Sequence, residues 1–563
     1  METDVVVVGA GPVGSCLAAE LGRRGVRCAV VEMTDGVFKD PRLHAVSIRT
    51  MEIVRKWGIT DDMRNCGWPA DHPQDAAYMT SLVGYELARL PWAPISKMRP
   101  PPESPTFAQR CPQSWFNPIL HRYAGRFESV QFLWLHKFLG LRQDAEEVLV
   151  DVQPAEGGAV KTIRSKYVVG CDGARSAVRE QIGVEYQRSG IYGYAAEAII
   201  ESREIADLAR PRQGGRYTAI TDNGVSVTLL PYDGIDRFRI VLVAEPSQVD
   251  RARMDDGILQ VVGRKVNYTY LTEVLPWINR ERVAEKFRVE RVFLAGDAAH
   301  TMPPAGGYGM NTGVLDGFDL GWKLAAVLQG WADDPLLDSY EFDRRMASVR
   351  TAAMAGELYA DWGKVKPIID ESLSLLNQDT AEGAAARQRV GELIAKTFKR
   401  EYNAMGVSLG YRYSGSPVIV DDGTPEPPDE IVQLAPTARP GHRIPHAWLA
   451  DGRSTLDLVD DVYTLIEIGG DTVLKAFKAA AAEKGIPLVT YRIDQPELKE
   501  LFDASAILVR PDQIIAWRAK GKSLAPATVL DTVTGRTSAL ADKAIVAREP
   551  LSSQSMRLDR HMT

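Results

Sequence analysis

The chain has no Cys-x-x-Cys or Cys-x-His pair; its five cysteines, Cys16, Cys28, Cys66, Cys111 and Cys171, are scattered over 563 residues. A sparse, odd set argues against a disulfide framework and reads as reduced thiols, each a small buried hydrophobe in a cytoplasmic protein. The eight histidines form no ligand cluster, so no metal is expected. No apolar run approaches the length of about 18 residues that a spanning helix needs, and no basic segment of a signal peptide opens the chain. Excess positive charge is missing too. Lys and Arg number 67 against 74 Asp and Glu, a formal net charge of −7, with a pI near 5.8. That balance argues against a nucleic-acid or anionic membrane surface. What remains is an ordinary soluble composition, 45% hydrophobic and 25% charged, long enough for two to four domains at roughly 100–200 residues each.

The N-terminal segment DVVVVGAGPVGSCLAAELGRRGVRCAVVEM combines a valine strand, a glycine turn, a helix stopped at Gly25 and a second short strand ending in Glu32. Apolar runs of strand length alternating with helical periodicity indicate a βαβ unit on a parallel sheet. Two further buried strands, YVVGCDG at 167–173 and RVFLAGD at 291–297, also end in glycine and aspartate. All three are expected to converge on one sheet. Residues 224–245 differ: two β-branched runs flank a Tyr-Asp-Gly turn, with polar alternation at Ser226 and Thr228. This reads as an antiparallel hairpin, half exposed or lining a cavity. Residues 314–405 have a helical pattern, and DDGTPEPPDE at 421–430 is an acidic, proline-rich linker. Strand and helix patterns alternate again beyond it.

Chemistry gathers at the glycines. Gly9, Gly11 and Gly14 stand in G-x-G-x-x-G register around Val13: the first for the tight turn, the second for close approach of a pyrophosphate, the third for helix–strand packing. The helix N-terminus offers unpaired N–H groups to phosphate. Glu32, at the end of the next strand, is placed to accept from a ribose diol, which disfavours a 2′-phosphate. Asp172 and Asp297, at the carboxyl ends of the other two strands, suit the hydroxyls of a polyol; FAD has a ribitol and NAD does not. The stretch LAGDAAHTMPPAGGYGMNTG at 294–313 has a composition that suits neither helix nor strand. It reads as a backbone nest approaching a flat ring, with a helix starting near Asn311 to stabilise negative charge on a reduced flavin.

Together, GAGPVG, CDGARSAVR and LAGDAAHTMPPAGGYGMNTG resemble, in order and distance, the signature segments of the single-component FAD-dependent aromatic hydroxylases (group A flavoprotein monooxygenases). PRLHAVSIRTMEI (41–53) is similar to the segment in which an arginine, here Arg42, reaches the flavin side, and Gln113 falls where the family places a cofactor-binding Gln. RPGHRIPH, DGRSTLDL and RPDQIIAWR resemble the thioredoxin-like third domain of the phenol-hydroxylase branch, here without Cys-x-x-Cys and so redox-inert. Met33 departs from relatives that carry a polar or basic residue there. The resemblance implies an α/β fold: a Rossmann-like FAD-binding domain (1–180 and, with helices, 289–415), an inserted antiparallel-sheet substrate domain (181–288), a linker (416–430), a C-terminal thioredoxin-like α/β domain (431–550) and a tail (551–563).

It further implies an NAD(P)H-dependent monooxygenase, with NADPH or NADH as transient reductant. Oxygen adds to the reduced flavin, and the C4a-hydroperoxide delivers OH to a small phenolic or other aromatic substrate. Gly307, Gly309, Met310 and Asn311 would hold the ring and Pro304 would pack near C4a. His44 is the candidate base for the phenol proton, against a structural histidine; His300 reads as structural. Tyr232, at the hairpin turn, would line the substrate cavity or be a plain turn aromatic, and Trp115, Trp134 and Trp322 read as core. A homodimer in the cytoplasm is expected. The alternative is an FAD-dependent dehydrogenase or reductase without oxygen insertion; a halogenase is disfavoured because no W-x-W occurs.

Overall fold

Four consecutive valines, Val5–Val8, form a strand buried on both faces, as a central strand of a parallel sheet must be. In this computed structural model, which describes residues 1–37, 45–221, 224, 226–245, 247, 249–521 and 524–537, that strand lies between Tyr167–Gly170 and Cys28–Val31. Val292–Leu294 pairs parallel beyond Tyr167–Gly170, and the sheet has six strands. The three expected strands therefore stand side by side, with their glycine ends aligned at one edge. Pro12 opens the first helix, where its missing N–H is no loss, and the chain leaves that helix through Gly25 at φ +70°.

A nine-stranded, mainly antiparallel sheet stands against this unit. Ser226–Pro231 and Arg237–Val243 form the expected hairpin within it. The sheet reaches beyond residues 181–288: Ala76–Met79 pairs parallel with Arg216–Ile220, Glu86–Leu90 adds an edge, and His300–Thr301 adds the other. One face is apolar core (Ala198, Ile200, Tyr217, Leu229, Ile240, Leu242). The alternate residues, Glu197, Thr218, Thr228 and Asn279, make the other face polar though buried.

Residues 308–313 are helical, contrary to the expectation that the 294–313 composition excludes regular structure. The helix Tyr308–Leu328 begins three residues before Asn311. Gly306 (φ +70°) and Gly307 (φ +67°) supply the break, and the later glycines are selected by packing. A Cβ on Gly313 would lie 2.6 Å from Val13 Cγ2, one on Gly317 2.9 Å from the Val13 carbonyl, and one on Gly321 2.5 Å from Glu20 Cβ. Tertiary contact overrides weak helix propensity here. The long helices Pro335–Leu376 and Ala381–Tyr402 complete the body.

The C-terminal sheet orders Leu488–Ile493, Tyr463–Ile468, Ala506–Val509 and Ile515–Arg518, the first pair parallel and the others antiparallel. Residues 421–430 form no helix or strand, yet they are not a loose tether. Asp422 pairs with Arg518, Glu426 with Arg439 and Asp429 with Arg350. Deeper, Arg510 donates to Asp343 (2.8 Å), Asp319 (2.6 Å) and Asp512 (2.6 Å), and Lys323 joins Asp319 and Asp343. Arg49 and Arg443 share Glu52. Removing one partner of such a cluster strands buried charge. Arg510→Met is therefore expected to destabilise the protein by about 3–5 kcal/mol, read as a lowered midpoint in thermal unfolding followed by tryptophan fluorescence.

Candidate functional site

The three strand ends meet through their glycines. Gly9 takes φ +104°, and a Cβ there would stand 2.5 Å from the Cys171 carbonyl oxygen. Gly14 is tighter still, with a Cβ position 1.9 Å from the Gly9 carbonyl oxygen. Gly11 differs: its backbone is extended (φ −66°, ψ −177°), and its Cβ position meets no protein atom within 4 Å. Two glycines are thus required by packing, whereas the middle one faces open space at the start of a helix whose first turn no side chain caps. Val13 turns its side chain onto Gly296 and Gly313, locking the first loop to the third.

Glu32 Oε2 accepts from the Ala10 N–H (2.9 Å) and Oε1 from the Thr34 N–H (2.9 Å) and hydroxyl (2.8 Å). The carboxylate stands at the rim of the glycine loop with its orientation fixed and unused lone pairs remaining. His121 Nε2 bonds the Ala10 carbonyl (2.8 Å), a contact the sequence reading missed. Asp172 spends both oxygens on its own turn, accepting from the Ser176 hydroxyl (2.5 Å) and the Val178 N–H (3.0 Å); burial raises its carboxyl above the usual range, although these bonds oppose the shift. Asp297 lies partly buried in the single turn Gly296–Ala298. Asp316 holds that turn by accepting from the Gly296 N–H (2.9 Å). The same carboxylate bonds His300 (2.7 Å) and Arg344 (2.8 Å). Burial works against its charge, but His300 and Arg344 hold the Asp316 carboxyl below its usual range. His300 is wholly buried here.

In the 301–311 loop, Pro304 is exposed and its carbonyl accepts from the Gly307 N–H (3.1 Å). The Gly306 N–H is taken by Glu401 (3.1 Å). Both leading N–H groups of the expected nest therefore have protein partners. Asn311 is also committed: its amide oxygen accepts from the Ser47 N–H (2.9 Å) and the Thr50 hydroxyl (2.8 Å), and its amide nitrogen donates to the Ala45 (3.1 Å) and Gly307 (2.8 Å) carbonyls. Its side chain has no donor left, so it clamps strand Ala45–Val46 to the loop. Gly309 and Met310 lie in the first helical turn. Gln113 is the buried first residue of helix Gln113–Ala124. Tyr232 is buried, its hydroxyl 2.7 Å from that of Ser114, which brings the hairpin turn against the residue after Gln113. Arg42 and His44 lie outside the described residues. Trp322 is fully buried core, while Trp115 and Trp134 are partly buried against the same cluster.

The hairpin turn meets the Gln113 helix through Tyr232 and Ser114, and His300–Thr301, which leads into the 301–311 loop, edges the sheet whose other face is polar. Arg239 donates to Glu197 (3.0 Å), and Thr218 and Thr228 face each other at 3.3 Å. Arg110 donates to Gln74 (2.6 Å) and Arg216 to Tyr402 (3.1 Å) near the same sheet. They come from segments with no motif of their own, and only the Ser226/Thr228 alternation signalled a polar lining in advance. Among the described residues no group of three His, Cys, Asp or Glu could hold a metal ion, and no helix is long and apolar enough to cross a membrane. The donor set fits a dinucleotide cofactor: an open glycine at an uncapped helix start, a carboxylate at the loop rim, and aspartates on the neighbouring strand ends.

Comparison with known proteins agrees with this geometry. Residues 2–355 match the FAD binding domain family, and residues 437–537 match the family of aromatic-ring hydroxylase C-terminal domains. The chain is 31% identical to 2,4-dichlorophenol 6-monooxygenase of Cupriavidus pinatubonensis (92% of this chain, 93% of that one). It is also 31% identical to aklavinone 12-hydroxylase RdmE of Streptomyces purpurascens (95% and 98%). A solved structure of the rebeccamycin biosynthetic enzyme RebC with reduced flavin superposes with a TM-score of 0.86 at 32% identity, covering 95% of this chain and 99% of that one.

The glycines separate fold from cofactor. Gly14→Ala is expected to destabilise the apoprotein by about 3 kcal/mol through overpacking. Gly11→Ala should leave apoprotein melting unchanged but weaken FAD binding about tenfold, measured by fluorescence titration of apoprotein with FAD.

Proposed function

Since this chain belongs to the FAD-dependent aromatic-ring hydroxylases, we propose that it hydroxylates a phenolic compound seated on the polar face of the nine-stranded sheet, beneath the 301–311 loop. The supporting observation is a cofactor-type glycine loop locked to Gly296 and Gly313, in the segment whose strand His300–Thr301 edges the sheet with the buried polar face. FAD, once reduced by NAD(P)H, supplies activated oxygen for insertion into an aromatic C–H bond. In this reading the N–H groups at Gly11–Gly14 hold the pyrophosphate and Glu32 the adenosine ribose. Asp297 faces the ribitol, and Asp172 keeps the turn beside Gly9 in shape. Gln113 and Arg42 flank the cofactor. The helix start at Gly309–Asn311 sets its positive dipole end against the ring, and Pro304 closes the dry side.

Tyr232 and Ser114 would bound the substrate, and His44 would take its phenolic proton, making the ring carbon more nucleophilic. Exclusion of water falls to the apolar rim around Ala305 and Tyr308, both buried. No second dinucleotide fold is present among the described residues, which accords with a nicotinamide that binds only in passing; whether NADH or NADPH serves is read from kinetics. We further propose a thioredoxin-like, redox-inert role for the C-terminal domain, a cytoplasmic homodimer, and a substrate domain made of 181–288 together with residues 76–90.

The test is purified yellow protein supplied with aromatic compounds, NAD(P)H and O₂. A true substrate gains one oxygen atom by mass and speeds NAD(P)H oxidation without peroxide release. Oxidation with no added oxygen would instead indicate a dehydrogenase. His44→Ala is expected to keep FAD, lower hydroxylation by about 10²-fold or more and raise wasted peroxide. Unchanged coupling across about pH 6–9 in that variant excludes His44 as the base.

A further inference from the structure

Arg110 differs from Arg216 and Arg239, which pair with Glu401 and Glu197. It follows Gln109 in a two-residue strand paired with Ala45–Val46, Ala45 lying directly opposite it. Ala45 in turn is the nearest neighbour of Gly307, its Cβ 3.9 Å from the Cβ position there. The Arg110 side chain runs from this point towards the start of the substrate sheet. Its Nε donates to Gln74 Oε1 (2.6 Å), and its guanidinium carbon stands 5.4 Å from the Trp68 ring centroid. A Cβ on Gly215 would lie 2.8 Å from Gln74 Cα, 2.9 Å from the Pro73 carbonyl oxygen and 3.0 Å from Arg110 Nη2, so the fork lies where the Gly215 and Gln74 backbones come close together.

No carboxylate answers this cation among the described residues. Glu401, the acid of this corner, sits 3.8 Å from Arg216 and accepts from the Gly306 N–H. Glu197 is held by Arg239. Nη1 and Nη2 of this half-buried arginine make no hydrogen bond to the described residues, and partial burial, reinforced by Arg216 and opposed by the Tyr402 hydroxyl, pushes the guanidinium down to about 10. Two neighbours share the deficit. Gln74 Nε2 and Trp68 Nε1 are buried donors with no partner, in residues only 4% exposed each. Beside this half-buried fork, the two buried N–H groups left without acceptors carry a desolvation penalty that a ligand would relieve.

We infer that Arg110, with Gln74 and Trp68, forms a carboxylate-binding subsite, and that the aromatic substrate carries an acid group. This rests on the function proposed above and names its substrate class. A planar carboxylate matches the two free guanidinium nitrogens in bidentate fashion, which neither an amide nor a neutral phenol can do. Trp68 also packs edge-on to His72 (5.0 Å), and His72 and Pro69 border Gly234 of the hairpin turn. The acid group would therefore lie towards the hairpin turn, with the ring reaching from there towards the 301–311 loop.

The experiment titrates holoenzyme with two matched pairs, salicylate and salicylamide, and hydroxynaphthoate and hydroxynaphthamide, following the flavin absorbance. Wild-type enzyme is expected to bind an acid at least about tenfold more tightly than its amide. Arg110→Gln should abolish that preference by weakening the acids alone, Arg110→Lys should retain part of it, and Trp68→Phe should reduce it while keeping the ring. Retained FAD absorbance in each variant shows that it has folded. Equal binding of acid and amide by the wild type, or an acid preference that survives in Arg110→Gln, overturns the subsite. If neutral phenols are hydroxylated while acids gain nothing, this inference falls alone. A protein that takes up no FAD, or whose NAD(P)H oxidation no aromatic accelerates, brings down the parent reading as well.

Discussion

The contact that everything else depends on is the close approach of two helices, Pro12–Arg23 and Tyr308–Leu328. Val13 inserts between Gly296 and Gly313, and Gly317 and Gly321 let the two backbones slide past Leu17 and Glu20. Without that approach the glycine loop at the end of strand Val5–Val8 would not be locked to the segment that carries the 301–311 loop. Side chains at these positions would push the helices apart by a methyl group or more, and protein interiors do not absorb such displacements gradually. Asp316 adds a polar lock from the second helix, fixing the Gly296 turn while His300 and Arg344 satisfy its charge.

Ionic pairing inside this protein secures geometry more than it adds stability. Each buried ion loses hydration, and the gain from its partner offsets that loss only when the cluster is complete. The clusters here join several partners each. Glu52 takes Arg49, Arg443 and the Ser104 hydroxyl; Asp319, Asp343 and Asp512 surround Arg510 and Lys323. Against that background Arg110 is a half-buried cation given hydrogen-bond company by Gln74 but no countercharge.

Much of the architecture was legible in the residues. The valine strand, the glycine register, Glu32 and the two later strand–glycine segments identified the parallel sheet and its cofactor edge, because backbone demands for positive φ and close approach leave few residue choices. Ser226 and Thr228 disclosed a polar sheet face through strict alternation. What stayed hidden was set by long-range packing. Residues 76–90 join the substrate sheet without any local sign, and Tyr308–Gly313 is helical although its composition argues otherwise. Asp172 and Asn311, conspicuous by position, devote their side chains to holding loops. Arg110, Gln74 and Trp68 carry no motif, and only the folded chain shows that they meet and that no acid accompanies them.

The acidic, proline-rich stretch at 421–430 invites a further thought about ancestry. By composition it looks like a natural splice point at which a C-terminal domain could be traded between relatives. Its carboxylates are already promised to Arg350, Arg439 and Arg518, and Arg510 and Arg443 reach into acids of the body. A recombinant joined there would inherit half of each cluster. Successful grafts must transplant both halves together, so in this lineage the two modules are expected to have been inherited as one unit.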